Sequence, residues 1–156
     1  MHDTNLYRRG VGVMLLNSER KVWVGARIDN RADFWQMPQG GIDEGEEPWA
    51  TALRELEEET GIAPRLVEQV AVHPERLRYS LPSELVGVIW KKRWIGQEQD
   101  WFLCRFLGTD ADVDIATAHP EFREWKWVDP LKLPDIIVPF KRALYRRLIE
   151  DFAEYL

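Results

Sequence analysis

Glu55, Glu58 and Glu59 are spaced i, i+3, i+4 within PWATALRELEEET, so a helix through this stretch gathers three carboxylates on one face. Like charges so placed repel by roughly 0.2–0.5 kcal/mol per pair. A hard divalent cation, which takes oxygen ligands, removes that repulsion. Asp43, Glu44, Glu46, Glu47 and Glu57 complete a run of eight of the chain's 27 acids within residues 43–59, and Arg54 is the one cation among them. A solvated helix face interleaves Lys and Arg with its acids; this one does not.

Local signals bound the helix that must carry these groups. Pro48 suits a first helical turn, where its missing N–H costs nothing, and Gly61 suits the left-handed position just past the end, which predicts a helix over roughly Pro48–Thr60. Trp49, Leu53, Leu56 and Thr60, with Ala52, form its packing stripe. Upstream, Gly40 and Gly41 allow the preceding loop to run close to neighbouring atoms.

Gly40, Glu46, Arg54-Glu55-Leu56, Glu58-Glu59 and Gly61-Ile62, at these spacings, resemble the Nudix box, the signature of the Nudix hydrolases. The resemblance implies an α/β/α sandwich with a mixed sheet between helices, and attack of water on a phosphorus of a pyrophosphate bond. It implies metal binding by Glu55, Glu58 and Glu59, with Gly40 beside them, and Mg²⁺ as the cofactor, with Mn²⁺ or another divalent cation as substitute. Arg54 reads as a neighbour that holds acidic side chains in place. WQMPQGGID (Trp35–Asp43), YRRGVG, LRYSLP, IGQEQDWFL, PEFREWKWV and FKRALYRR further resemble the Nudix branch that contains bacterial RNA pyrophosphohydrolase and the dinucleoside polyphosphate hydrolases. From that branch, Arg8, Arg27, Trp35, Gln39, Tyr79 and Lys141 are expected at the substrate, and Glu121 is expected beside the metals, with Glu55 and Glu58, as a catalytic group. Two substrates stay open: the 5′-triphosphate end of RNA, losing pyrophosphate or phosphate, and diadenosine tetraphosphate, cut to ATP and AMP. A catalytically inactive nucleotide-binding module is the reading from a different class, and the intact box glutamates argue against it.

At 156 residues, 45% hydrophobic and 12% aromatic, the chain is expected to form one domain over 1–156. Its net charge of −6 is unevenly placed: residues 43–59 carry −7, and the remainder sums to +1. A polyanionic substrate is therefore compatible with the charge, with Arg8, Arg9, Arg27, Arg31, Lys91, Lys92, Arg93, Lys141 and further cations of the C-terminal segment available to phosphates. DNA is not an expected partner, and no oligomeric partner is implied. The lone Cys104 lies in the apolar run WFLCRF, where a buried inert thiol is expected, and cannot form an internal disulfide. The first ten residues lack the apolar core of a signal peptide and no run reaches the roughly 18 apolar residues of a membrane span, so a cytoplasmic location without membrane contact is expected.

Residue types predict strands over Tyr7–Asn17 and Lys21–Arg27 as a hairpin, Leu66–Val72, Val86–Trp90, Trp101–Leu107 and Glu124–Val128. Lys91–Asp100 reads as a polar excursion between two of them, and Asp110–Pro120 as a long loop. A second helix is predicted from Pro139, with Phe140, Leu144, Leu148 and Phe152 on one face.

Overall fold

The computed structural model describes residues 6–29, 32–86 and 94–156. Its elements run β1 (Tyr7–Leu16), β2 (Val22–Arg27), β3 (Gln39–Gly41), α1 (Pro48–Thr60), β4 (Val67–Val72), β5 (Leu77–Ser80), β6 (Gly96–Phe106), β7 (Phe122–Val128), α2 (Leu133–Ile136) and α3 (Arg142–Asp151). The sheet order is β4-β6-β1-β2-β7, with β3 paired to β1 and β5 to β6. β1 and β6 run parallel over ten residue pairs, Tyr7↔Gly96 to Leu16↔Arg105, and the other pairings are antiparallel, so the sheet is mixed.

Alternation along β1 divides the interior in two. Val11, Val13 and Leu15 join Phe102, Cys104 and Phe106 of β6 under Ala52 and Leu56 of α1, whereas Met14 and Leu16 join Trp101 and Leu103 beneath Leu144, Tyr145 and Leu148 of α3. Helices therefore cover both faces, and the α/β/α sandwich with its mixed sheet is the observed architecture. Cys104 is fully buried, which pushes its thiol pKa up to about 12. No described helix is long and apolar enough to cross a membrane.

Three expectations need correction. β6 begins at Gly96, inside the expected excursion, because Gln97 and Gln99 point inward as buried polar residues and hide the alternation that marks a half-buried strand. The short β3 and β5 were not anticipated, since their pairings, with Gly10–Gly12 of β1 and with Gly96–Gln99 of β6, are long-range. Before the terminal helix there is also the short α2, and α3 itself starts at Arg142 after a 3₁₀ turn over Pro139–Lys141. The strand expected over Val86–Trp90 lies, from residue 87 onward, outside the described residues, as do Arg31, Lys91, Lys92 and Arg93.

α1 forms where its ends foretold. The Glu47 carboxylate caps it by accepting from the Trp49 and Ala50 N–H groups at 3.3 and 3.0 Å, Pro48 occupies the first turn, and Gly61 takes φ +74° while its N–H closes on Glu57 O at 2.9 Å.

Candidate active site

The N-terminal loop of α1 is tied down by Arg54. Its Nε and Nη2 donate to the two oxygens of Glu46 at 2.8 Å each, and Nη1 reaches Glu58 at 3.1 Å and Glu55 at 3.2 Å. This fork holds the Glu46 carboxyl down at about 2. Glu46 also accepts from the Asp43 N–H at 2.9 Å, which locks the turn between β3 and α1.

The three box glutamates do not occupy equivalent places. Glu58 is more than half exposed and faces Arg54. Glu55 lies inward, 16% exposed at its side chain, with its carboxyl against Gly40, where any Cβ would overlap it. Burial raises the Glu55 pKa to about 7 against the pull of Arg54, and the Glu58 and Glu121 charges add to the rise. Glu59, which a purely apolar stripe would have left outside, is 1% exposed. Neither of its oxygens has a hydrogen-bond partner, and the facing side chain is a second carboxylate, Glu121. Burial, then Glu121 and Glu55, drive the Glu59 pKa well above the carboxylate range.

Two ionised carboxylates are acceptors only, so Glu59 and Glu121 are reconciled only by a proton or a cation between them. The donor set is all oxygen, and Gly40 leaves room for close backbone approach; both suit a hard divalent cation. Among the described residues, however, no three acidic, histidine or cysteine side chains are already converged as a metal-ligating group.

Over this acidic end lies an open cleft of about 630 Å³, lined by Arg8, Arg27, Gln39, Gly40, Gly41, Glu55, Tyr79, Glu121 and Lys141. Arg8 covers Gly41, where a side chain would displace its guanidinium. Arg27 is clamped by Asp29 through two bonds of 2.8 Å and stands 4.0 Å from Glu121. Lys141 is 6% exposed, its ammonium 4.8 Å from the Tyr79 ring centroid. Burial, then Arg27, lower its pKa to about 7. The β7 register places Glu121 here: Arg27 pairs with Phe122 across a bulge, and Glu121 O accepts from the Ile28 N–H at 2.8 Å.

Of the residues expected from sequence, the structure brings together Arg8, Arg27, Gln39, Gly40, Glu55, Tyr79, Glu121 and Lys141 around the cleft, with Glu59 beneath it. Trp35 is not among its lining. It turns into the core, donates its indole N–H to Asp33 at 3.1 Å and carries Lys126 on its ring, while its neighbours Phe34 and Gln36 face the cleft. Gln97, Val138 and Phe140 also line it and were not singled out as site residues. The pair Gln97 and Gln99, alternating with Glu98 and Asp100 just ahead of the apolar Trp101–Cys104, was the available signal. Among the other cations, Arg9 is engaged by Asp100, and Arg147 by Glu75 and Asp151.

The model of the NUDIX domain matches residues 6–148, nearly the whole chain. This chain belongs to the Nudix family. Its Nudix domain is 54% identical over 151 residues to an RNA pyrophosphohydrolase of Sphingopyxis alaskensis, covering 97% of this chain and 96% of the relative. Against the RNA pyrophosphohydrolase of Zymomonas mobilis subsp. mobilis the identity is 49%, with 99% of each chain covered. Among solved structures, the Escherichia coli dihydroneopterin triphosphate pyrophosphohydrolase matches with a TM-score of 0.71 at 19% identity, over 97% of this chain and 99% of that one. A Caenorhabditis elegans Ap4A hydrolase matches with a TM-score of 0.61 at 19% identity, over 93% of this chain and 98% of that one. At these identities the two structures speak to the fold alone. Nudix hydrolases generally use divalent cations.

Proposed function

We propose that this Nudix enzyme is an RNA pyrophosphohydrolase that removes pyrophosphate, or phosphate, from the 5′-triphosphate end of RNA and leaves a 5′-monophosphate. The observation that carries the reading is full-length identity of about 50% to relatives of that name, joined to a cleft in which cations and carboxylates face each other. Arg8, Arg27 and Lys141 bind the polyphosphate, Arg27 in an orientation set by Asp29. Glu55, Glu59 and Glu121, with Gly40 alongside, are the groups that would hold Mg²⁺ or Mn²⁺, and Glu58 would join them only by leaving Arg54. The bound cation supplies charge neutralisation at the phosphate oxygens and acidification of water. Glu121, with a side chain 42% exposed at the cleft, takes the proton of the attacking water, and Gly40 and Gly41 keep the loop low enough for the phosphates to reach Glu55 and Arg8.

The test is a side-by-side assay of triphosphorylated RNA and diadenosine tetraphosphate with Mg²⁺ and product identification. Monophosphorylated RNA formed at the higher kcat/KM is the expected result. Preferential release of ATP and AMP from diadenosine tetraphosphate would replace the reading with its Nudix alternative, and no hydrolysis of either would leave a nucleotide-binding module.

A further inference from the structure

The cleft floor beneath Tyr79 is built on amides that the proposed reaction does not use. Gln97, Gln99 and Trp101 alternate along β6 and point to one side of the sheet. Gln97 is 2% exposed, and Gln99 and Trp101 are 0% exposed. Amides are kept in such a layer only where each finds its partners.

Donor-only chemistry fixes how these partners are arranged. Trp101 Nε1–H donates to Gln99 Oε1 at 2.9 Å. An indole N–H cannot accept, so Gln99 must turn its oxygen to Trp101 and its NH₂ group away from it. That NH₂ donates to Gln97 Oε1 at 2.5 Å and to Gln39 Oε1 at 3.2 Å. With its oxygen turned to Gln99, Gln39 presents its NH₂ to Tyr79, and Nε2 lies 3.4 Å from the Tyr79 hydroxyl oxygen. A phenol oxygen that accepts still carries a proton to give. The Tyr79 O–H is thus left to donate within a cleft it shares with Arg8, Arg27 and Lys141.

We propose that Trp101, acting through Gln99 and Gln39, sets the polarity of the Tyr79 hydroxyl so that it donates to a polyphosphate oxygen of the substrate. Gln99 is then a positioning residue: it touches no substrate and acts through Tyr79. The relay rests on the reading of the cleft as a polyphosphate site.

A double-mutant cycle over Tyr79→Phe and Gln99→Met tests it, with two readouts: the Kd for inorganic tripolyphosphate in the presence of Mg²⁺, and KM and kcat on triphosphorylated RNA. Each single substitution is expected to weaken binding and raise KM about tenfold, the loss of one hydrogen bond to a charged group, with kcat changed less than about twofold. The double variant should be no weaker than Tyr79→Phe alone, because Gln99 has nothing left to orient. Effects that multiply to about a hundredfold, or an unchanged Kd in Gln99→Met, overturn the relay. If Gln99→Met does not fold, Trp101→Phe keeps a ring while removing the donor, and the same outcomes apply. Wild-type protein that binds tripolyphosphate but leaves RNA intact defeats the RNA reading while the Kd cycle still judges the relay. Wild-type protein that binds no tripolyphosphate overturns the relay itself.

Discussion

Glu55→Gln should stabilise the protein in metal-free buffer at pH 8 and destabilise it relative to wild type once Mg²⁺ is abundant. Glu55 has a folded pKa of about 7 against an ordinary value of 4.5, chiefly from burial. A raised carboxylate pKa means that the folded state holds its proton where the unfolded state has lost it. The cost of the charge is therefore absent below pH 4.5, grows as pH rises through this interval and is complete above pH 7. At about 1.4 kcal/mol per pH unit, the interval corresponds to about 3 kcal/mol. Glutamine keeps the shape and mimics the protonated form, and the pull of Arg54 at 3.2 Å is already contained in that net shift, so a gain of about 2–3 kcal/mol is expected. Wild type gains what the variant forgoes when Mg²⁺ binds the native state alone, about 4 kcal/mol at a thousandfold over its dissociation constant, which is enough to reverse the order. Urea denaturation of both proteins at pH 5, 6.5 and 8, with chelator or with Mg²⁺, reads all of this. A variant less stable than wild type at pH 8 in chelator, with no response to Mg²⁺ in either protein, would refute the reasoning.

Glu121→Gln should lower kcat by about 10²–10⁴-fold, the range for losing a general base, while Glu124→Gln, whose carboxylate pairs on the surface with Arg123, serves as the control and should change turnover little. Equal small effects would remove Glu121 from the chemistry. Lys141 has a folded pKa of about 7, so kcat/KM should fall as pH rises above 7 and its ammonium discharges, and Lys141→Met should flatten that limb. The depressed pKa also means that folding is penalised fully below pH 7 and less toward pH 10.5, so Lys141→Met should raise the melting temperature at pH 6.5. Gly40→Ala forces a methyl group onto the Glu55 carboxyl, and loss of most activity with a native circular dichroism spectrum is expected; full activity would show that Glu55 can move away freely.

The sequence by itself determined what depends on neighbours along the chain. Pro48 and Gly61 set the ends of α1, the i, i+3, i+4 glutamates announced the acidic face, and the spacing from Gly40 to Ile62 named the family, because capping, helical periodicity and loop approach are all local. Tertiary structure decided what depends on burial and on strands meeting from afar. Glu59 reads like its neighbours in sequence, yet it alone is sealed beneath Glu121, which arrives from about sixty residues away through the β2–β7 register. Trp35 and its flanking Phe34 and Gln36 differ only in which side the chain shows to the core. Gln97 and Gln99 were hidden by the very property that makes them useful: polar residues on the inner face of β6 erase the apolar alternation by which a strand is recognised, and only the partners Trp101 and Gln39 explain why they are there.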